Sequence, residues 1–101
     1  MFDEKLLERI CSKYKIKYKL FENVVFLDTN LDEWMIKYIP NRRDRPYCLM
    51  HKNKFKQVNK FHIQRYLTTL YCSLDSVVNH KNILKTIYST KRNTYKQNRV
   101  I

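Results

Sequence analysis

The hydrophobic pattern at the N-terminus is that of an amphipathic helix. Asp3 can cap such a helix, and the apolar residues after it recur at helical spacing: Leu6, Leu7, Ile10, Cys11 and Tyr14. We therefore predict a helix over residues 3–14.

Alternating apolar and polar positions predict a β-hairpin next. Ile16, Tyr18 and Leu20 fall at every second position, which places them on one face of a strand. A turn signal at residues 22–23 separates this strand from a second apolar run over residues 24–27. The two runs are expected to pair.

Residues 31–39 fit two secondary structures. As a helix, the segment has Asn30 as cap, Pro40 as stop and one apolar stripe of Leu31, Trp34, Met35, Tyr38 and Ile39. As a strand, it offers aromatic and β-branched residues in alternation. The helix accounts for more positions and for both ends, so we predict a helix and keep the strand as the alternative.

A long basic hairpin is predicted in the second half of the chain. It follows a proline-bounded loop at residues 40–46 and consists of extended runs over 47–52 and 58–67. In the second run, alternation separates two sets of side chains, Phe61, Ile63 and Arg65 on one side and His62, Gln64 and Tyr66 on the other.

A last helix is predicted from Ser73, its expected cap, with a core stripe of Leu74, Val77, Val78, Leu84, Ile87 and Tyr88. Beyond residue 88 the chain is polar and basic and contains no acidic residue. We expect a single α+β domain over residues 1–88 and a mobile tail over 89–101.

Composition excludes several classes of function. The 101 residues include no glycine, so neither a Walker loop nor a dinucleotide fingerprint can form. Three widely spaced cysteines fit reduced thiols, and the chain has no apolar run of membrane-spanning length and no signal-like N-terminus. We expect a cytoplasmic protein with no membrane partner. The abundance of residues with A/T-rich codons suggests a low-GC genome and a plasmid or phage gene.

The net charge of +12 is unevenly distributed. Residues 1–36 carry six Lys or Arg against seven Asp or Glu, whereas residues 37–101 carry fifteen against two. This excess attracts polyanions, of which nucleic acid is the expected one, and it locates the predicted partner-binding surface in the second part of the chain.

Catalytic and metal chemistry have few candidates. The basic part contains two carboxylates, so a paired carboxylate acid and base is not expected. His51 and His62, with Arg65 and Tyr66, resemble the residue set of small metal-free ribonucleases. A zinc site built from Cys48, His51, His62 and Cys72 lacks a second close pair of ligands. We predict no catalytic residue, no metal and no cofactor.

Nucleic-acid binding accounts for more of the sequence. Lysines on a hairpin can neutralise phosphates, and amide or guanidinium groups among them can contact base edges. The predicted contact residues are Lys52, Asn53, Lys54, Lys56, Gln57, Asn59, Lys60, His62, Gln64 and Arg65, with Arg42, Arg43 and Arg45 as a second phosphate clamp.

The order of predicted elements resembles winged helix-turn-helix DNA-binding domains, with residues 47–66 as the wing. Size, basicity and the inferred low-GC origin make the chain similar to accessory DNA-binding proteins of clostridial conjugative plasmids. That resemblance implies a site at a transfer origin and a relaxase partner. We also expect a homodimer, because small DNA-binding domains commonly dimerise on repeated half-sites. The proline-bounded segment 40–46 is too short to be the usual recognition helix. With residues 31–39 as a strand, the order would instead be that of double-stranded-RNA-binding domains.

These observations predict a non-enzymatic protein that binds double-stranded DNA through its basic hairpin. Two alternatives come from other classes. One is a metal-free endoribonuclease that uses His51 and His62, and the other is a phage- or plasmid-encoded inhibitor of a host protein. Inhibitors that mimic nucleic acid are usually acidic, which counts against the second alternative.

Overall fold

A computed structural model describes residues 2–54 and 60–80. Helix α1 (Glu4–Lys13) is followed by five strands and then by helix α2, which is described over residues 70–80. The strands are β1 (Lys17–Phe21), β2 (Val24–Asp28), β3 (Asp32–Tyr38), β4 (Tyr47–Asn53) and β5 (His62–Leu67). The predicted α+β class is confirmed. The expected tail and the core positions Leu84, Ile87 and Tyr88 lie outside the described residues.

Helix α1 begins and ends as its sequence predicts. The Asp3 side chain accepts a hydrogen bond from the Leu6 amide at 3.2 Å, which caps the first turn. At the other end, the Ile16 amide donates to the Cys11 carbonyl at 2.8 Å, and Lys15 takes a left-handed backbone with φ of 55°. This is the Schellman arrangement that normally places glycine at the left-handed position.

The five strands form one antiparallel sheet in the order β1-β2-β3-β4-β5, so each strand pairs with its neighbours along the chain. Neighbouring antiparallel strands need no crossover connection, and this favours pairing in chain order. In the turn between β2 and β3, the Thr29 hydroxyl donates to the Asp32 carbonyl and accepts from the Asp32 amide, at 3.0 and 3.1 Å.

The helix predicted over residues 31–39 was wrong, because residues 32–38 form the central strand β3. Trp34 pairs with Leu27 on one side and with His51 on the other, so the segment is hydrogen-bonded to two strands at once. Trp34 and Ile36 are buried. Sheet pairing on both edges and burial of one face outweigh the weak helical preference. The described residues therefore contain no helix between β2 and β4.

Pairing of the two predicted runs is confirmed, although the described residues 60–61 of the second run precede strand β5, and the predicted side-chain alternation was wrong beyond Gln64. The register changes from Leu49 opposite Arg65 to Met50 opposite Ile63, so strand β5 contains one extra residue, a β-bulge. Ile63 and Arg65 therefore do not share a face as predicted.

Helix α2 begins earlier than predicted. Thr69, not Ser73, is its cap, because the Cys72 amide donates to the Thr69 hydroxyl at 3.1 Å. Ser73 lies inside the helix and is buried. Its hydroxyl donates back to the Thr69 carbonyl at 3.1 Å.

Both helices pack against the same face of the sheet. The core includes Leu7 and Cys11 from α1, and from the sheet and α2 it includes Val25, Leu27, Trp34, Ile36, Leu49, Leu70, Leu74, Val77 and Val78. We call this side the helix side and the opposite side the open face. Neither helix of the described residues is long and apolar enough to cross a membrane.

Candidate functional site

The strand register arranges the open face in rows that cross the sheet. The middle row is largely apolar and consists of Lys19, Phe26, Met35, Met50 and Ile63. One flanking row is charged, with Lys17, Asp28, Glu33 and Lys52, and the other is Phe21, Val24, Lys37, Cys48 and Tyr66. An apolar band thus runs between two rows that both contain lysine.

Aromatic rings are exposed along this band. The Phe26 ring makes edge contacts with the rings of Phe21 and Phe61, at centroid distances of 5.6 and 6.5 Å. Phe21 is 57% exposed and Ile63 is 52% exposed, although both are large apolar residues. A groove of about 620 Å³ lies here, lined on its polar side by Lys17, Lys19, Asp28, Glu33 and Lys52.

Two of the predicted phosphate contacts are engaged in ion pairs on this face. Lys52 pairs with Glu33 at 2.9 Å, and Lys54 pairs with Asp28. By contrast, Lys17, Lys19 and Lys37 have no carboxylate partner within the described parts of the chain, so they are available to an incoming anion. These three lysines are not among the contact residues predicted from the sequence.

The loop over residues 40–46, which we call the arginine loop, packs against the basic hairpin. The Arg42 guanidinium stacks over the Tyr66 ring at 3.6 Å from its centroid, and its Nε donates to the Arg45 carbonyl at 3.3 Å. Arg43 and Arg45 are exposed. The neighbouring Cys48 thiol is buried, and this burial raises its pKa despite the opposing effects of Tyr66 and the nearby cations. The predicted clamp and the edge of the open face therefore lie side by side.

The other predicted hairpin residues do not form one surface. His62 and Arg65 lie opposite His51 and Leu49, on the helix side of the sheet, and are exposed because β5 is an edge strand. Gln64 lies at the bulge, where its amide nitrogen is 3.0 Å from His62 Nε2. Asn53 pairs with Asp32, and Lys60 is exposed. Lys56, Gln57 and Asn59 lie outside the described residues.

On the helix side, two histidines contact one carboxylate and a third histidine lies beside them. His51 Nε2 lies 2.5 Å from Asp32 Oδ1, and His80 Nε2 lies 3.4 Å from Asp32 Oδ2. The His51 ring is 5.1 Å from the ring of His62 and 5.3 Å from that of His80. The Trp34 ring packs on His51 at 4.4 Å. Strands β3 and β4 and helix α2 each contribute to this cluster.

Burial makes the cluster costly unless its polar atoms are paired. Asp32 is 2% exposed and His51 is 8% exposed. His51 Nδ1 is buried and has no hydrogen-bond partner among the described residues. An unpaired buried nitrogen costs about 1–3 kcal/mol, so a hydrogen-bond partner at this atom would stabilise the cluster.

The zinc ligand set that was considered and rejected from the sequence does not come together, whereas another set does. Alternation along β4 places Cys48 and His51 on opposite faces of the sheet. Among the described residues, Asp32, His51 and His80 are the group whose ligand atoms converge, all within 4.8 Å of one another. Asp32 and His80 were not predicted as a pair, because they are 48 positions apart in the sequence and only tertiary contacts bring them together.

Comparison with known proteins gave no relative: no family model, no curated protein and no solved structure matches the chain.

Proposed function

We propose that this protein binds nucleic acid without catalysing a reaction, and that a single strand lies across the open face. The observation that carries the proposal is the apolar band, which no described helix covers, with exposed phenylalanines on the same face and flanking rows whose Lys17 and Lys37 have no carboxylate partner among the described residues. Proteins that bind single strands combine aromatic stacking platforms with cations that follow the phosphates.

The size of the face supports a single strand over a duplex. Strands in a sheet lie about 4.8 Å apart, so five strands span roughly 19 Å. The major groove of B-DNA is about 12 Å wide. The sheet face therefore cannot enter the groove, whereas unstacked bases of a single strand can lie flat on it.

Duplex DNA bound through the hairpin is the second candidate. It is supported by the stacking of Arg42 on Tyr66, which ties the arginine loop to the hairpin edge. A winged-helix-like mode belongs to this candidate, with the hairpin and the arginine loop making the contacts. An accessory role on a mobile element, a relaxase partner and a homodimer remain predictions of the same candidate.

The test compares two triple variants with the same loss of charge. Lys17→Gln/Lys19→Gln/Lys37→Gln alters the open face, and Lys5→Gln/Arg9→Gln/Lys13→Gln alters exposed cations of α1. Binding to labelled single-stranded and duplex DNA and RNA is measured by fluorescence anisotropy over a range of salt concentrations. We expect the open-face variant to bind single strands more weakly. The slope of the logarithm of the binding constant against the logarithm of the salt concentration should become shallower by about 2, because each phosphate contact contributes about 0.7. The α1 variant is expected to bind nearly as the parent.

A second comparison tests stacking separately from charge. Phe21→Leu/Phe26→Leu removes two exposed rings of the band, and Tyr71→Leu removes a ring that is 55% exposed on α2. Loss of stacking on two rings should weaken single-strand binding by at least tenfold, since each stacked base contributes about 1–3 kcal/mol. Equal effects of the two variants would contradict the proposal.

The same samples separate the other candidates. Tighter binding to duplex than to single strands, abolished by Arg42→Gln/Arg65→Gln, would favour the hairpin mode. Cleavage of RNA by the parent that is lost in His62→Ala would replace the proposal by the ribonuclease alternative. If the parent binds every polyanion weakly and both triple variants reduce this binding equally, the binding depends only on the net charge of the protein.

A further inference from the structure

The cluster on the helix side has the composition of a metal site. Asp32, His51 and His80 are contributed by strand β3, strand β4 and helix α2, and their ligand atoms lie within 4.8 Å of one another. Two imidazoles and one carboxylate are a donor set that zinc and other divalent transition metals accept. We propose that these three residues bind a divalent transition-metal ion, with Zn²⁺ as the expected ion.

The distances between ligand atoms fit this assignment. Zinc binds histidine nitrogen and carboxylate oxygen at about 2.0–2.2 Å, so ligand atoms around a tetrahedral ion are roughly 3.3 Å apart. His80 Nε2 is 3.4 Å from one oxygen of Asp32, and His51 Nε2 is 2.5 Å from the other. The two histidines face different oxygens of Asp32, and the three ligand atoms lie within 4.8 Å of one another. Binding of one ion therefore requires the carboxylate to turn or to bind through both oxygens, the His51–Asp32 hydrogen bond to open by less than 1 Å and the ligand atoms to close in on the ion.

The tautomer of His51 is compatible with ligation. In the hydrogen-bonded arrangement the Nε2 atom faces Asp32, and no group of the described residues pairs with Nδ1. Which nitrogen carries the proton is normally fixed by the partner of the other one. An ion on the Nε2 side would replace the contact with Asp32, and the ring proton would then be carried by Nδ1, which no group of the described residues blocks.

The site is rigid on one side and accessible on the other. The Asp32 backbone is held by two hydrogen bonds to the Thr29 hydroxyl, and the Trp34 ring packs 4.4 Å from His51 and 5.1 Å from His80. The His80 side chain is 36% exposed, which gives an ion a route from solvent. Three protein ligands leave a fourth zinc position for water or another ligand. This site is on the opposite side of the sheet from the proposed nucleic-acid surface and does not depend on it.

Trp34 makes the test direct, because it is the single tryptophan of the chain and touches both histidines. The metal-free full-length chain is titrated with Co²⁺ while Trp34 fluorescence and the visible cobalt spectrum are recorded. Zn²⁺ competition and calorimetry follow, with Mg²⁺ as a hard-cation control. We expect saturable quenching at one ion per chain, displacement by Zn²⁺ and no effect of Mg²⁺.

Variants assign the ligands. His80→Gln alters the half-exposed ligand and is expected to keep the fold while weakening Zn²⁺ binding by more than about 100-fold, since even outer-shell changes commonly cost 10–100-fold. Asp32→Asn tests the carboxylate. His62→Gln and Cys72→Ser are the matched controls, because they remove a neighbouring imidazole and a thiol outside the proposed set. Absence of saturable quenching, or Zn²⁺ binding that survives His80→Gln unchanged, would overturn the proposal.

Discussion

Lys15 takes a left-handed backbone conformation in a chain that contains no glycine. The side chain creates a steric conflict at positive φ that a glycine would avoid. The position is nevertheless fixed, because the Ile16 and Lys15 amides donate to the Cys11 and Ser12 carbonyls at the end of α1. The helix end is therefore closed by hydrogen bonds at the expense of local strain.

Replacing Lys15 by glycine should stabilise the protein. Relief of the strained backbone should raise the free energy of unfolding by about 0.5–1 kcal/mol, measured by urea denaturation. Lys13→Gly is the matched control, since Lys13 is the last residue of α1 and the same substitution in a helix costs about 1 kcal/mol. A stability loss in Lys15→Gly as large as that in Lys13→Gly would contradict this explanation.

The residues of the proposed nucleic-acid surface were predictable only in part. Arg42 and the hairpin lysines were selected from charge, and the structure added Lys17, Lys19 and Lys37. Lys17 and Lys19 were not selected because nearby acidic residues, including those of α1, offset their charge when charges are counted along the chain. In the fold, Glu4 and Glu8 are on the helix and the lysines are on the open face.

Among the elements, β3 depends most on tertiary pairing. Its sequence carries both a helical stripe and an alternating pattern, and a helix would have left β2 and β4 without the strand that joins them. Pairing with two neighbours satisfies its backbone groups on both edges, which no local pattern can reveal. The bulge in β5 also depends on tertiary pairing, since it is defined only by the register with strand β4.

Helix α2 gives a test of an element boundary. If Thr69 is the cap, Thr69→Ala should lower the free energy of unfolding by about 1 kcal/mol, because the Cys72 amide loses its acceptor. Thr68→Ala removes the adjacent hydroxyl, whose contact is to the Cys72 thiol, and should change stability by less than half as much. Thermal or urea denaturation of both variants measures the difference.

At the scale of the whole molecule, the two faces of the sheet carry different kinds of side chain. Its helix side holds the core and the buried histidine cluster, and its open face holds exposed phenylalanines and lysines. Covering one face with both helices leaves the other face without a partner from the described chain. Exposed apolar surface of this kind is typical of binding sites.

The buried thiol between α1 and the sheet makes global stability sensitive to alkaline pH. Burial raises the pKa of Cys11 from 9.0 to about 11. The unfolded chain therefore loses this proton at lower pH than the folded chain. The stabilising contribution is fully present below pH 9 and is lost as the pH rises toward 11, for a loss of about 1–3 kcal/mol.

Urea denaturation at several pH values from 8 to 10.5 measures this loss. Cys11→Ala should be less stable than the parent at pH 8 because it leaves a small cavity, but its stability should fall less steeply above pH 9. Parallel pH dependence in the parent and the variant would show that other groups cause the alkaline loss.

The sequence by itself determined the elements whose signals are local. The α1 cap, the first hairpin and the basic hairpin follow from side chains within a few positions of one another, and the charge excess is a property of composition. Tertiary structure alone decided the state of β3, the face on which each lysine lies and the meeting of Asp32 with His51 and His80. Those features depend on which strands and helices become neighbours, because hydrogen bonds and burial between distant segments outweigh local preference.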